Sequence, residues 1–264
     1  MRGIHLVRRG GAAGLCLTLA LLAGCAGGAG HTDTSPQNGS SPRERPAGER
    51  TAERTFDLLR VANSMQLSFA VRAPQGGAVI SVHADRDGNC TGTFDMGRTQ
   101  RGDIIRVAGE GVSYIRYTDV ALAEIRAEAA RRGPEAAAQA DKRTAEARGK
   151  YLRVPSINSA VREQCDLDKA LSKVPQNGVG VQQQPVVQRN GESFIPLRGP
   201  EGDEGLTMYV AAQGEPYIRF MEGSDQGAEM RVAFSHFNEP VHASAPPADQ
   251  VLDIGSGGQG LLGA

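Results

Sequence analysis

DIIRVAGEGVSYIRYTD, residues 103–119, decides the fold. Ile105 and Val107 share one face of a short run, a glycine turn follows at Gly109–Gly111, and Ile115 and Tyr117 share one face of the next run. Apolar side chains two apart on both sides of a glycine turn predict an antiparallel hairpin with one buried face. The same texture extends upstream. Leu67, Phe69 and Val71 share a face, Ile80 and Val82 share the next, and Phe94 and Met96 come after the turn signal Asp87-Gly88-Asn89. Short strands at near-regular spacing predict an antiparallel meander.

On either side of this meander the period changes. Residues 53–65, ERTFDLLRVANSM, place Phe56, Leu59 and Asn63, and Leu58, Ala62 and Met65, at helical spacing. Residues 120–150 are rich in Ala, Glu and Arg, which argues helix, with a break at Gly133-Pro134. Beyond Ile125 their apolar content is mostly alanine, so this segment gains little from burial and suits a solvated helix or a movable cover. A further amphipathic helix is expected over residues 156–174, with Ile157, Val161, Cys165, Leu167, Leu171 and Val174 along its stripe. Strands return in residues 179–241, with turns at Asn190-Gly191 and Gly214-Glu215-Pro216; Met208 and Val210, Ile218 and Phe220, and Val232 and Phe234 are expected to share faces. Sheet, then helices, then sheet is an α+β pattern without βαβ crossovers. The expected fold is one curved antiparallel sheet with helices packed against one face.

The chain begins MRGIHLVRRGGAAGLCLTLALLAGCAGG, with Arg2, Arg8 and Arg9 ahead of an apolar stretch from Ala12 to Leu22. That layout predicts a secretory signal peptide over residues 1–24. Leu22-Ala23-Gly24-Cys25 resembles the bacterial lipobox, in which the cysteine receives a diacylglycerol and becomes a durable membrane anchor, held by roughly 0.8 kcal/mol per buried CH₂. Residues 25–50 then form a Gly/Ser/Pro-rich tether with no large apolar residue after the anchor, of root-mean-square reach roughly 25–30 Å. The expected folded domain is 51–254, and 255–264 reads as a loose tail. Localisation follows as the cell membrane, on its extracytoplasmic side. Of four cysteines, Cys16 leaves with the signal peptide and Cys25 is lipidated, so Cys90 and Cys165 remain. In an oxidising compartment two cysteines most simply form one disulfide; two free thiols and a metal site are the alternatives.

Composition and motifs exclude more than they assign. Losing three arginines with the signal peptide takes the formal charge from −1 to about −4, and there is no basic stripe, so nucleic acid is not expected as a partner. Asp85-Arg86-Asp87-Gly88-Asn89 has the opening of a calcium loop, but the twelfth position is Met96 where an EF-hand needs glutamate. His83, His236 and His242 are too scattered for zinc, and neither HExxH nor CxxC occurs. No GxSxG elbow is present, and the acids Asp166 and Asp168 sit where they solvate or cap a helix start. No catalytic residue, metal or cofactor is expected.

Several segments together resemble the LolA-like lipoproteins of actinobacteria, similar in plan to the LppX/LprG group. They are GNCTG (88–92), GDIIRVAGEGVSYIRY (102–117), GKYLRVP (149–155), CDLDK (165–169), GEPYIRF (214–220) and FSHFNEPVHASAPPADQVLDI (234–254). Tyr151 stands where such relatives usually carry Trp. The resemblance covers about residues 55–254. It implies an α+β fold, a curved antiparallel sheet forming an open half-barrel with helices covering the concave face, which holds acyl chains or lipid-linked molecules, and a Cys90–Cys165 bridge. On that plan Phe69, Val71, Ile80, Phe94, Ile105, Ile115, Val210, Phe220 and Phe234 face inward as candidate lipid-binding residues. The function expected is non-catalytic binding or transfer of a lipid or lipid-linked cargo by a membrane-anchored protein. A solid-cored module that docks an envelope protein partner is the alternative.

Overall fold

The computed structural model describes residues 45–155, 165–172, 174–199, 206–225 and 227–253, which lie in one compact unit. Cys25, the signal segment, the tail and residues 156–164 of the expected helix fall outside the described residues. Helix α1 (Ala47–Val61) leads into the meander β1 (Ser64–Ala73), β2 (Gly76–Asp85), β3 (Cys90–Asp95), β4 (Arg101–Arg106) and β5 (Val112–Tyr117). Helices α2 (Asp119–Arg132) and α3 (Pro134–Ala147) follow, then β6 (Tyr151–Pro155) and a short α4 (Leu167–Leu171). The C-terminal strands are β7 (Gln182–Gln183), β8 (Val187–Arg189), β9 (Glu192–Arg198), β10 (Thr207–Ala211), β11 (Ile218–Asp225), β12 (Ala228–Ser235) and β13 (Val251–Asp253).

These strands join one sheet in the order β13-β6-β5-β4-β3-β2-β1-β12-β11-β10-β9-β7, with β8 also on β9. Among the described residues only the β13–β6 pair is parallel. The sheet is open and curved, and the fold is α+β, as the sequence texture predicts. Gly92 and Gly102 fall inside β3 and β4, and a Cβ at either would lie 2.1 Å from a neighbouring carbonyl oxygen. Glycine inside a strand lets backbones close up and the sheet bend there.

The helix boundaries have local causes. Thr118 caps α2 by accepting from the Ala121 N–H at 3.2 Å, and Arg131 and Arg132 sit in its last turn, where the helix dipole favours them. Gly133, at φ 124°, ends α2, and Pro134 restarts the chain as the first residue of α3. Asp166 caps α4 by accepting from the Lys169 N–H at 2.9 Å. Cys165 therefore stands in the turn before this helix, beside its buried stripe, which Leu167 and Leu171 supply.

Helix α1 departs from expectation at its start. It begins at Ala47, inside the stretch that composition assigns to the tether, and it ends at Val61, before Asn63. Its first turn is held by backbone packing that hydrophobic periodicity does not register. A Cβ on Gly48 would lie 2.4 Å from the Val181 carbonyl oxygen and 2.6 Å from the Gln183 nitrogen, so only glycine lets the helix seat against β7. The Glu49 carboxylate accepts from the Gly180 N–H at 3.0 Å across the same junction.

Gly48→Val is expected to destabilise the fold by about 1–3 kcal/mol, since the displaced atoms are backbone. Ala47→Val, on an exposed neighbour, should stay within about 0.5 kcal/mol. Urea denaturation of both variants checks this.

Candidate functional site

Register turns the strand alternation into continuous rows, because directly paired residues point to the same face. One row runs Leu197, Met208, Met221, Val232, Phe69, Ile80, Phe94, Gly102, Tyr117, from β9 to β5. A second runs Phe234, Leu67, Val82, Gly92, Ile104, Ile115, Leu152, Leu252. A third holds Gly223, Met230, Val71 and Ala78. These rows line the face on which the helices pack.

The helices cover the two flanks. On one, α1 sends Phe56 and Leu59, and α4 sends Leu167 and Leu171, into a cluster with Met65, Val82, Ile104, Leu197, Val210, Ile218 and Phe234. On the other, Leu122 and Ile125 of α2 and Ala147 of α3 close over Phe94, Ile115, Tyr117, Leu152 and Val154. Phe94 and Tyr117 meet edge to face at 6.0 Å, and burial pushes the Tyr117 hydroxyl up to about 12, so that flank is uncharged. Ile80 packs against both clusters. Along the middle of the first row, Met208, Met221, Val232, Phe69 and Ile80 are only half-buried, as are Val71 and Met230 beside them. An apolar strip between two sealed flanks is the candidate site.

Of the residues expected to face inward, Phe69, Val71 and Ile80 lie in this strip. Phe94 and Ile115 lie in the cluster under α2, and Val210 and Phe234 in the cluster under α1. Ile105 and Phe220 are corrections. Ile104 is the register partner of Ile115, so its neighbour Ile105 points to the opposite face, across from Thr91 and Tyr114. In the doublet Ile104-Ile105 alternation alone does not choose the parity. Phe220 is displaced by a bulge: Tyr209 pairs with Phe220 but Val210 pairs with Ile218, so Ile218 and Phe220 take opposite faces although they are two apart. Met221 and Met230 also point to this face, paired with Val232 and Val71, although neither is among the expected residues. Methionine fills irregular apolar space without fixing one shape.

The outer face has different chemistry. Phe220 stacks on Tyr209 at 4.4 Å and meets Phe194 edge to face at 5.2 Å. Arg231 lies over Phe220 at 4.1 Å and Arg189 over Tyr209 at 4.3 Å. Glu222 pairs with both arginines, at 2.7 Å from Arg189, and this bond is the chief reason the Arg189 guanidinium is held above its ordinary value. A groove of about 720 Å³ lined by Arg72, Tyr209, Glu222, Glu229 and Arg231 runs beside them, too polar for an acyl chain.

Asp85 at the turn after β2 and Asp168 of α4 have structural partners. Asp85 closes its own turn, accepting from the Asn89 backbone N–H at 2.8 Å and side-chain amide at 2.9 Å. Asp168 pairs with Arg86, whose guanidinium also donates to the Ala62 and Arg60 carbonyls at the end of α1. Among the described residues no group of three or more His, Cys, Asp or Glu is placed to hold a metal, and no helix is long and apolar enough to cross a membrane. Cys90 and Cys165 are bonded, with Cα atoms 5.5 Å apart and both side chains fully buried in the α1 cluster.

No protein-family model matches the sequence, and no curated protein matches it. Solved structures do. LprF from Mycobacterium bovis matches at a TM-score of 0.49 and 12% identity, over 77% of this chain and 99% of that one. The lipoprotein LppX from Mycobacterium tuberculosis matches at 0.42 and 14%, over 75% and 99%. An uncharacterized conserved protein from Thermus thermophilus matches at 0.35 and 11%, over 79% and 99%. Similarity at this level says nothing about what the chain binds.

The bridge spans 75 residues, and loop closure of that length is worth about 4 kcal/mol. The double variant Cys90→Ser/Cys165→Ser is expected to melt about 10 °C lower, with its far-UV circular dichroism retained. Differential scanning calorimetry checks it.

Proposed function

We propose that this chain is a membrane-anchored lipoprotein of the cell envelope that binds a lipid or lipid-linked molecule along Phe69, Val71, Ile80, Met221, Met230 and Val232, and carries it without catalysis. The observation behind the reading is the half-buried strip. A filled core has no reason to leave the middle of a row open while both ends are sealed, and large apolar surface left accessible marks a binding site. An acyl chain laid there gains about 25 cal/mol per Å² of apolar area removed from water. Cys25 carries the diacylglycerol anchor in this reading, and the residues between it and the start of α1 at Ala47 act as the tether. The competing reading, an envelope module that docks a partner protein, rests on the outer groove beneath the β8–β9 hairpin.

Phe69→Glu is expected to weaken displacement-measured affinity for a fluorescent fatty acid at least tenfold, because an uncompensated carboxylate in the strip costs more than about 1.4 kcal/mol. Phe69→Ala should weaken it less and leave the fold intact, and Ile105→Glu, on the outer face, should leave affinity unchanged. Equal losses in Phe69→Glu and Ile105→Glu, or no probe binding by the unaltered chain, would overturn the lipid reading and favour the docking one.

A further inference from the structure

The sheet hands the chain to its C-terminal segment at one corner, Ser235–Glu239, and that corner holds a histidine pair. His83 on β2 and Ser235 on β12 both face Gln66 of β1, so they share the outer face. His236 follows at once in the left-handed region, φ 53°, which brings its ring to 5.8 Å from that of His83. Ser235 Oγ lies 2.9 Å from His236 Nδ1. The next residues fasten the corner to the α1–β1 junction. The Asn238 N–H donates to the Ser64 carbonyl at 2.9 Å, the Asn63 N–H donates to Asn238 Oδ1 at 2.8 Å, and Ser64 Oγ donates to the Glu239 carbonyl.

We propose that His83 and His236 form an acid-sensitive latch on this corner, closed when both imidazoles are neutral and loosened when both carry a proton. His83 Nε2 is buried without a hydrogen-bond partner. Protonation puts a charge on this part-buried ring, a cost that the Glu239 backbone offsets only in part. The second positive ring 5.8 Å away then adds repulsion. Protonation of His236 also reverses its contact with Ser235, whose hydroxyl can donate to Nδ1 only while that nitrogen is bare.

The charges around His83 set the direction. Burial, then the neighbouring His236, hold its pKa below the ordinary 6.5, while Glu239, through its carboxylate and backbone, and Asp85 pull the other way and do not prevail. The facing strand residues Gln66 and Thr91 are uncharged. The native corner therefore binds fewer protons than the unfolded chain below pH 6.5. Its contribution to stability is complete above that value and is lost as pH falls below it. The latch stands apart from the lipid reading, because its parts are all on the outer face and at the corner.

Amide hydrogen exchange on the purified chain tests it. From about pH 7.5 to about pH 5.5, protection factors at the Asn63 and Asn238 amides should fall about tenfold. Amides of the β9–β10 pair should not change. His236→Asn removes the second imidazole and suits the left-handed backbone, so its fall at the lower pH should be smaller, the burial of His83 alone remaining. Unchanged protection at Asn63 and Asn238 in the unaltered chain, or an equal fall in His236→Asn, would overturn the latch.

Discussion

Pairing of β1 along its length to β2 on one side and β12 on the other fixes which side chains the rest of the molecule must cover. With Phe69 opposite both Ile80 and Val232, every strand from β9 to β5 inherits its parity from this central triplet. A slip of one residue would turn Leu67, Phe69 and Val71 outward and bring Gln66, Ser68 and Ala70 under the helices. The helices then answer the register. α1 and α4 seal one flank, and α2 with the end of α3 seals the other.

What separates the flanks is the reach of those helices. α1 brings Phe56 and Leu59, and α2 brings Leu122 and Ile125, large enough to fill the sheet's curvature where they touch it. α3 buries only Ala140, Thr144 and Ala147, so it adds little apolar area and little to hold it in place. The disulfide ties the start of β3 to the turn before α4 and so fixes one flank, while the row between Met221 and Ile80 keeps its surface partly open.

Period-two alternation made β1, β2 and β5 legible, along with the face of Phe69, Val71, Ile80 and Ile115. Gly133-Pro134 marked the α2–α3 break, because proline and glycine act on the backbone directly. Where the sequence was silent, the deciding contact was distant in the chain. Ile104 and Ile105 are equally apolar, and only pairing with Ile115 chooses between them. Phe220 follows from a bulge opposite Tyr209–Val210, which neither strand announces alone. Gly48 reads as linker composition until Val181 and Gln183 are brought against it.

If the strip from Met221 through Phe69 to Ile80 is a lipid-binding surface and not the rim of a filled core, bound lipid should accompany the purified chain. Solvent extraction of the chain purified from its native envelope, with mass spectrometry of whatever is released non-covalently, tests it most directly. The account predicts one defined class of acyl-bearing molecule in near-stoichiometric amount, lost from a Met221→Glu variant that still folds. Recovery of no lipid other than a group covalently attached at Cys25 would contradict it.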